Sequence, residues 1–296
     1  MTRTSVQATR PGTLDIDALQ RVADQARYHI LSTVASSKAG HIGGPLSATD
    51  LLVALYFAEL DIDPQEPHKI DRDRFVLSKG HCAIGLYSVL ALRGYFPTQE
   101  LATFDHGDSR LQGHPDMHLT PGVDMSTGSL GQGLSVGVGM ALGAKRAGRD
   151  FHTWVMIGDG ESQEGQIWEA VLAAPRLGVD NLTAIFDVNG LQQYGHEGAD
   201  TDRFDRGEPL GHVDLPAVLT GFGWNVVQVD GGDMPAILAA FDELRTLRGN
   251  GRPNALVATT SKGHGISFTS GTYKWHNGVP TQDQLAQAAS ELGVTP

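Results

Sequence analysis

The stretch from Trp154 to Gln192, WVMIGDGESQEGQIWEAVLAAPRLGVDNLTAIFDVNGLQ, decides the fold of this chain of 296 residues. A predicted apolar strand ends at Asp159, a helical pattern follows, and a second apolar strand ends at Asn189. Strands joined by a helical crossover lie parallel in one sheet. We therefore expect both side chains to leave neighbouring strands at the same edge of the sheet.

The side chains at these two strand ends suit a metal-bound diphosphate. Mg²⁺ takes carboxylate, amide, backbone carbonyl and phosphate oxygens, and Asp159 and Asn189 supply the first two kinds. Gly158 and Gly160 flank the aspartate and allow the backbone to approach a phosphate closely. Either motif alone could be an ordinary turn. Their occurrence across one β-α-β unit favours a metal-diphosphate site.

Strand and helix patterns alternate along the rest of the chain. Predicted strands cover 74–77, 153–157, 181–187, 224–229 and 254–260, and predicted helices cover 14–34, 47 or 49 to 60, 83–92, 126–147, 164–174, 214–222, 234–247 and 281–292. This alternation predicts an α/β fold with a doubly wound parallel sheet, whose ligands bind beyond the carboxyl ends of the strands. Because no GxGxxG motif occurs, a dinucleotide-binding fold has little support.

One domain is predicted at 14–280, between a flexible N-terminus at 1–13 and a C-terminal helix and tail at 281–296. The predicted helix at 126–147 is rich in glycine, and each glycine costs roughly 1 kcal/mol relative to alanine. We therefore expect close packing around this helix, in the core or at a subunit contact.

Composition limits the possible partners and location. The 22 Lys and Arg against 34 Asp and Glu give a net charge of −12, which argues against nucleic acid or an anionic membrane as a partner. The single cysteine, Cys82, fits a reducing compartment and is expected to be a small buried hydrophobic residue. No signal-peptide core or membrane-spanning run is found, so we expect a cytoplasmic protein.

Four histidines lie in glycine-rich turns. His41, His81 and His114 each follow a glycine, and His276 lies in KWHNGVP. A lone histidine in a loop is usually an exposed polar residue, but four in such turns favour a site, because imidazole titrates near neutral pH and can transfer protons. The Cys and His spacing of a zinc site is absent.

Five segments resemble transketolase, in the order of that family, over roughly residues 15 to 280. They are SKAGHIGGPLSATDLL, DRFVLSKGHCAIGLYSVLALRGYF, GHPD, STGSLGQGLSVGVGMALGAK and GDGESQEGQIWEA. A GDG followed after a helix by an asparagine resembles the thiamine diphosphate motif. The resemblance implies a thiamine diphosphate-binding fold and the cofactors thiamine diphosphate and Mg²⁺, with Ca²⁺ or Mn²⁺ as substitutes.

The resemblance also implies roles for individual residues. Catalytic roles fall to His41, His81, His114 and His276, and cofactor contacts to His41, His81, Gly128, Ser129, Leu130, Gly158, Asp159, Gly160, Glu161, Asn189 and His276. His114 would hydrogen-bond the donor sugar. Asp159, Asn189 and the backbone carbonyl of Leu191 would hold the metal.

Five further positions bear on the subunit contact and the substrate. Glu164 and Glu169 resemble family carboxylates at a subunit boundary, although they could be ordinary surface acids of a helix. Ser129 stands where the family often has proline, and Gln193-Tyr194 replaces an apolar-acidic pair. These two departures remove no ligand, but they leave the substrate open.

The activity that the resemblance implies is transfer of a two-carbon ketol unit from a ketose or ketose phosphate to an aldose. The C2–C3 bond of the donor breaks in this reaction. In the family, the glutamate that activates the pyrimidine ring of the cofactor belongs to a second domain. We therefore expect the amino-terminal subunit of a split transketolase, which is active only with a pyrimidine-binding C-terminal subunit in an α2β2 heterotetramer.

Two other function classes stay open from the sequence. One is the diphosphate-binding subunit of a 2-oxo acid dehydrogenase or decarboxylating synthase, although SKGH, GHPD and TGSLGQG fit transketolase better. The other is a non-catalytic assembly or regulatory subunit, although every implied ligand is present. The sequence does not fix the donor, the acceptor, or whether the distal group of the sugar is phosphate, sulfonate or neutral.

Overall fold

The computed structural model describes residues 14–193, 210–211 and 213–295. The predicted flexible N-terminus at 1–13 and the departure at Tyr194 lie outside these residues. The described strands form one parallel sheet in the order β1-β2-β3-β5-β4. They are β1 (Arg74–Leu77), β2 (Thr153–Gly158), β3 (Leu182–Val188), β4 (Asn225–Asp230) and β5 (Asn254–Thr259). The predicted parallel α/β architecture is confirmed.

Helices cover both faces of this sheet. They are α1 (Ile16–Ser37), α2 (Gly43–Ser47), α3 (Thr49–Ala54), α4 (Ala83–Arg93), α5 (Gln132–Arg146), α6 (Gly165–Leu177), α7 (Leu215–Gly221), α8 (Met234–Thr246) and α9 (Gln282–Leu292). One buried apolar cluster joins α1, α2, α3, α4, α8 and α9 to the sheet, and a second joins α5, α6 and α7 to its other face. The sheet is therefore doubly wound, as predicted.

The alternation of side chains along β2 explains why Trp154 to Ile157 form an unbroken apolar run. Trp154 and Met156 belong to the first cluster, whereas Val155 and Ile157 belong to the second. Successive side chains of a strand point to opposite faces, so a strand between two helical layers needs apolar residues at every position.

β2 and β3 are neighbours, and this pairing places the site. Gly158 lies opposite Asp187 in the parallel register, and the next backbone N–H, that of Asp159, donates to the Asp187 carbonyl at 3.2 Å. Asp159 and Asn189 therefore leave adjacent strands at the carboxyl edge of the sheet, as predicted.

The glycine-rich helix is shorter than predicted. α5 begins at Gln132 rather than at residue 126, because Gly131 has a left-handed φ of 82° that ends the preceding loop. Close packing holds for only part of the helix. A Cβ at Gly137 would lie 2.3 Å from Val155, whereas one at Gly139 would meet no atom within 4 Å. The inner face of this helix is thus closely packed, as predicted, and packing of its outward face at a subunit contact stays a prediction.

The helix predicted to begin at residue 47 or 49 and to end at about residue 60 is also divided differently. A short helix, α2, begins earlier at Gly43, within a segment predicted as a turn, and α3 continues into a π-helical turn at Leu55–Glu59. Pro45 is tolerated because it lies in the first turn of α2, where its missing N–H would have no helical acceptor. Cys82 is fully buried, as expected. Among the described residues, no helix combines the length and apolar character that crossing a membrane requires.

Candidate functional site

A cavity of about 430 Å³ opens at the carboxyl edge of the sheet. Every site residue implied by the sequence lines it except Ser129: His41, His81, His114, Gly128, Leu130, Gly158, Asp159, Gly160, Glu161, Asn189, Leu191 and His276. A hollow of about 530 Å³ between α1 and α9 is larger, but its lining contains none of these residues. The cavity at the sheet edge is therefore the candidate site.

The four predicted histidines converge here from four separate segments. The ring centroid of His41 lies 5.1 Å from that of His81, 5.0 Å from that of His276 and 6.5 Å from that of His114. The rings of His81 and His276 stack with their centroids 5.4 Å apart. The chain thus builds one imidazole cluster from residues that are far apart in sequence.

Burial keeps the inner histidines uncharged. It lowers the pKa of His41, with smaller contributions from the charges of His114 and Lys262. It also lowers the pKa of His81 well below the ordinary value. Burial and the charge of Lys262 together lower the pKa of His276 to about 3. At neutral pH each of these rings therefore offers one N–H donor and one nitrogen acceptor.

Asp159 and Asn189 present oxygen atoms to this cavity. Asp159 accepts backbone N–H groups from Gly160 at 2.8 Å and from Gly190 at 2.7 Å, one on each carboxylate oxygen. The amide oxygen of Asn189 accepts the N–H of Leu191 at 3.2 Å. Each oxygen keeps a further lone pair, so carboxylate, amide and backbone carbonyl ligands are available together.

This donor set fits a hard divalent cation. Burial, together with the charge of Asp187, raises the pKa of Asp159 to about 6, and a bound cation would offset the charge of this carboxylate. The described residues contain no group of three or more His, Cys, Asp and Glu side chains that could hold a metal. A site built from one carboxylate, one amide, a carbonyl and phosphate oxygens does not need such a group.

Lys262 is a cation of the site to which sequence analysis gave no role. Its ammonium group donates to the carbonyls of Leu191 and Gln192, both at 3.2 Å, and lies 2.9 Å from Nδ1 of His276. Burial lowers its pKa. Its position directly after β5 was the available signal, since strand ends at this edge carry the polar residues of the site.

A buried ion pair between Lys79 and Asp187 was also missed. Both residues are almost fully buried, and the ammonium group bonds one oxygen of the carboxylate. Burial alone would raise the pKa of Asp187, but the charge of Lys79 and the donated hydrogen bonds outweigh it, so the pKa is lowered. An aspartate inside the apolar strand sequence AIFDV was the signal for this pair.

Glu161 and Ser129, two of the implied cofactor contacts, differ in their surroundings from the other residues implied at the site. Glu161 reaches the cavity, but its carboxylate accepts hydrogen bonds from the Ser78 hydroxyl at 2.5 Å and from the N–H groups of Gly131 at 2.9 Å and Gly158 at 3.1 Å. It therefore holds the loop before α5 against the site. Ser129 is exposed and does not line the cavity, whereas the residues on either side of it do.

Glu164 and Glu169, the two carboxylates implied at a subunit boundary, lie at the start of α6 and within it. Glu164, at the N-terminal end of α6, lines the cavity, and Glu169, one turn further along that helix, does not. Both are exposed in the single chain.

Comparison with known proteins gives a consistent result. The family profile described as "Transketolase, thiamine diphosphate binding domain" matches residues 18–296. One of the subunits of the apulose-4-phosphate transketolase of Phocaeicola vulgatus is 39% identical over 279 residues, which cover 94% of this chain and 95% of that protein. The 6-deoxy-6-sulfo-D-fructose transketolase subunit SqwG of a Clostridium species is 40% identical and is covered to 96% of its length.

Solved structures show the same fold. A transketolase variant from Pichia stipitis superposes with a TM-score of 0.85 at 32% identity, over 94% of this chain. The transketolase from Campylobacter jejuni superposes with a TM-score of 0.85 at 29% identity. The chain spans 41% and 44% of the lengths of these two proteins.

Proposed function

Because the chain belongs to the transketolase family, we propose that it is the diphosphate- and metal-binding subunit of a two-subunit enzyme that transfers a two-carbon ketol unit from a ketose to an aldose. The observation that carries this proposal is the convergence of four histidines with Asp159 and Asn189 in one cavity at the sheet edge. Relatives that are named as single subunits of a transketolase, and that this chain covers almost completely, support the division into subunits.

The metal of this enzyme is Mg²⁺, for which Ca²⁺ or Mn²⁺ can substitute. Asp159, Asn189 and the carbonyl of Leu191 would hold it together with oxygens of the diphosphate. The support is the hard-oxygen character of these ligands at one strand edge and the raised pKa of the buried Asp159.

The remaining groups of the cavity bind and orient the cofactor and the sugar. When bound, thiamine diphosphate supplies the carbon nucleophile of the reaction. Lys262 and the backbone beside Gly160 would face the diphosphate, and the neutral rings of His41, His81 and His276 would each offer one hydrogen-bond donor and one acceptor beside it. His114, the exposed member of the cluster, hydrogen-bonds the donor sugar at the cavity mouth.

The missing half of the active site comes from a partner subunit with a pyrimidine-binding domain, in an α2β2 heterotetramer in the cytoplasm. The exposed carboxylates of Glu164 and Glu169 and the open space beside Gly139 and Gly143 on α5 support a protein contact on this side of the molecule. Closed two-fold symmetry is the commonest arrangement of soluble oligomers.

Substrates are sugars or sugar phosphates. The relatives named above carry the names of a sugar phosphate and a sulfonated sugar, so the distal group of the substrate is phosphate, sulfonate or a neutral hydroxyl. Assay of the complex with donors of all three kinds distinguishes them. These relatives give no support to a dehydrogenase or synthase function or to a purely assembly role, and we set both aside.

Replacement of Asp159 by alanine tests the proposed cofactor site. In the complex with the partner subunit, Asp159→Ala should weaken Mg²⁺-dependent binding of thiamine diphosphate by more than roughly 100-fold, since even changes outside the ligand shell cost about 10- to 100-fold. Isothermal titration calorimetry measures this affinity. Asp214→Ala, which removes the N-cap of α7 away from the cavity, should leave the affinity unchanged. Wild-type affinity in Asp159→Ala would contradict the assignment.

A further inference from the structure

Asp187 connects four segments of the chain beneath the candidate site. Its carboxylate accepts hydrogen bonds from the Ser47 hydroxyl at the end of α2, from the Lys79 ammonium group after β1 and from the Thr260 hydroxyl after β5. Asp187 itself lies on β3, two residues before Asn189. It is fully buried, and Ser47 and Lys79 are each 1% exposed, so water does not compete for the bonds from these two residues.

The direction of the hydrogen bond from Ser47 is fixed by its neighbours. A hydroxyl group has one proton, and that of Ser47 lies 2.6 Å from Oδ2 of Asp187 and 2.9 Å from the carbonyl of Gly44. Neither oxygen donates to Ser47, because Oδ2 of Asp187 already accepts the Lys79 ammonium group and a carbonyl has no proton. The proton of Ser47 is thus taken by these two acceptors. On its remaining side the Ser47 oxygen can only accept a hydrogen bond.

The group on that remaining side is the side-chain amide of Asn189. Its Nδ2 lies 3.5 Å from the Ser47 oxygen, and its Oδ1 accepts the Leu191 N–H at 3.2 Å. An amide can present either nitrogen or oxygen in a given direction, and its hydrogen-bond partners decide which. An acceptor at Ser47 therefore turns the amide nitrogen towards Ser47 and leaves the oxygen for the metal.

We infer that Ser47, whose proton is held by Asp187 and the Gly44 carbonyl, is a positioning residue that accepts a hydrogen bond from the amide nitrogen of Asn189 and thereby presents the amide oxygen of Asn189 to Mg²⁺. This inference rests on the proposed function of the site. Neither Ser47 nor Asp187 lines the cavity. Ser47 acts through Asn189, while Lys79 and Thr260 hold the Asp187 carboxylate in place.

The choice of metal separates this role from a general effect on stability. Mg²⁺ demands near-ideal octahedral geometry, whereas Ca²⁺ accepts variable geometry and more ligands. A misdirected Asn189 therefore harms Mg²⁺ binding more than Ca²⁺ binding. A loss of folded protein would lower both affinities by the same factor.

The test measures binding of thiamine diphosphate to the full chain and to its complex by titration calorimetry, with Mg²⁺ and with Ca²⁺ in parallel. In Ser47→Ala the acceptor for the amide nitrogen of Asn189 is absent. In this variant the ratio of Mg²⁺-dependent to Ca²⁺-dependent affinity should fall by about tenfold or more. Ser47→Thr, which keeps the hydroxyl, should restore the ratio.

Thr49→Ala is the matched control. It removes another buried hydroxyl two residues away, which bonds the carbonyl of Pro45 and not Asp187, so the ratio should stay at the wild-type value. An unchanged ratio in Ser47→Ala, or an equal change in Thr49→Ala, would overturn the inference. If the wild-type chain and complex bind no thiamine diphosphate with either metal, the proposed function itself is wrong.

Discussion

At the scale of single residues, the four histidines of the cavity differ in their surroundings. His276 is buried, His41 and His81 are half-buried, and His114 is exposed at the cavity mouth. The three inner rings have pKa values lowered by burial, which suits groups that orient a cofactor without carrying charge. The outer ring is the one that an incoming sugar can reach.

His114→Ala should lower kcat/KM for the donor by roughly 10²-fold, or about 2.7 kcal/mol, because a hydrogen bond to the donor sugar in the transition state is lost. Steady-state kinetics of the complex measures this effect. The affinity for thiamine diphosphate should stay unchanged, because His114 lies at the mouth of the cavity.

The control for this prediction lies in the same loop. His118 is also exposed but does not line the cavity, so His118→Ala should leave kcat/KM at the wild-type value. A His114→Ala variant with unchanged kinetics, or with an equal loss of cofactor affinity, would show that GHPD has a structural role.

At the scale of elements, α5 has one packed face and one open face. Gly133 and Gly137 lie against β1 and β2, where a Cβ would come within 2.5 Å of side-chain atoms. Gly139 and Gly143 lie on the outward face, where a Cβ would meet no atom within 4 Å. Glycine in a helix is unfavourable relative to alanine. Close packing therefore explains Gly133 and Gly137 but not Gly139 and Gly143.

Gly137→Ala and Gly139→Ala should therefore have opposite effects on the stability of the isolated chain. Gly137→Ala should lower the free energy of unfolding by about 1–3 kcal/mol, because its methyl group collides with Val155. Gly139→Ala should raise it by roughly 1 kcal/mol. Urea denaturation of both variants measures these changes.

The same pair of variants tests the proposed subunit contact. If the outward face of α5 packs against another subunit, Gly139→Ala should weaken assembly in sedimentation velocity although it stabilises the isolated chain. Unchanged assembly in Gly139→Ala would place the contact elsewhere on the molecule.

At the scale of the whole molecule, the cavity brings together the groups that we propose bind a metal and a diphosphate. Among the residues that line it, the carboxylates are Asp159, Glu161 and Glu164. The first is the proposed metal ligand, the second is held by protein donors, and the third lies exposed at the start of α6. We assign none of them to the pyrimidine ring of the cofactor, and we propose that the partner subunit supplies that glutamate.

The purified chain should therefore show no ketol transfer above background with thiamine diphosphate, Mg²⁺, a panel of ketoses and ketose phosphates, and an aldose acceptor. Addition of the partner subunit should give turnover at ordinary enzyme rates, on the order of 1–10³ s⁻¹. Such turnover by a preparation that mass spectrometry shows to contain a single polypeptide would contradict the two-subunit proposal.

The sequence by itself determined the alternation of strands and helices, the parallel sheet and most of the cavity residues. These features are local, because the period of apolar residues sets the element type and strand ends in a parallel sheet share one edge. Asp159 and Asn189 could therefore be assigned to one site from their positions in the sequence, whereas the four histidines were added by their glycine-rich turns and by the resemblance to transketolase.

Only the tertiary structure decided which distant groups meet beneath that site. The strand order puts β5 beside β3, which brings Thr260 to Asp187 and Lys262 to the Leu191 carbonyl. The tertiary structure also leaves Ser129 exposed and pairs the Glu161 carboxylate with the loop before α5 by a hydrogen bond. Such contacts depend on how whole elements pack and which groups must be satisfied once buried, and no periodicity within a short segment records that.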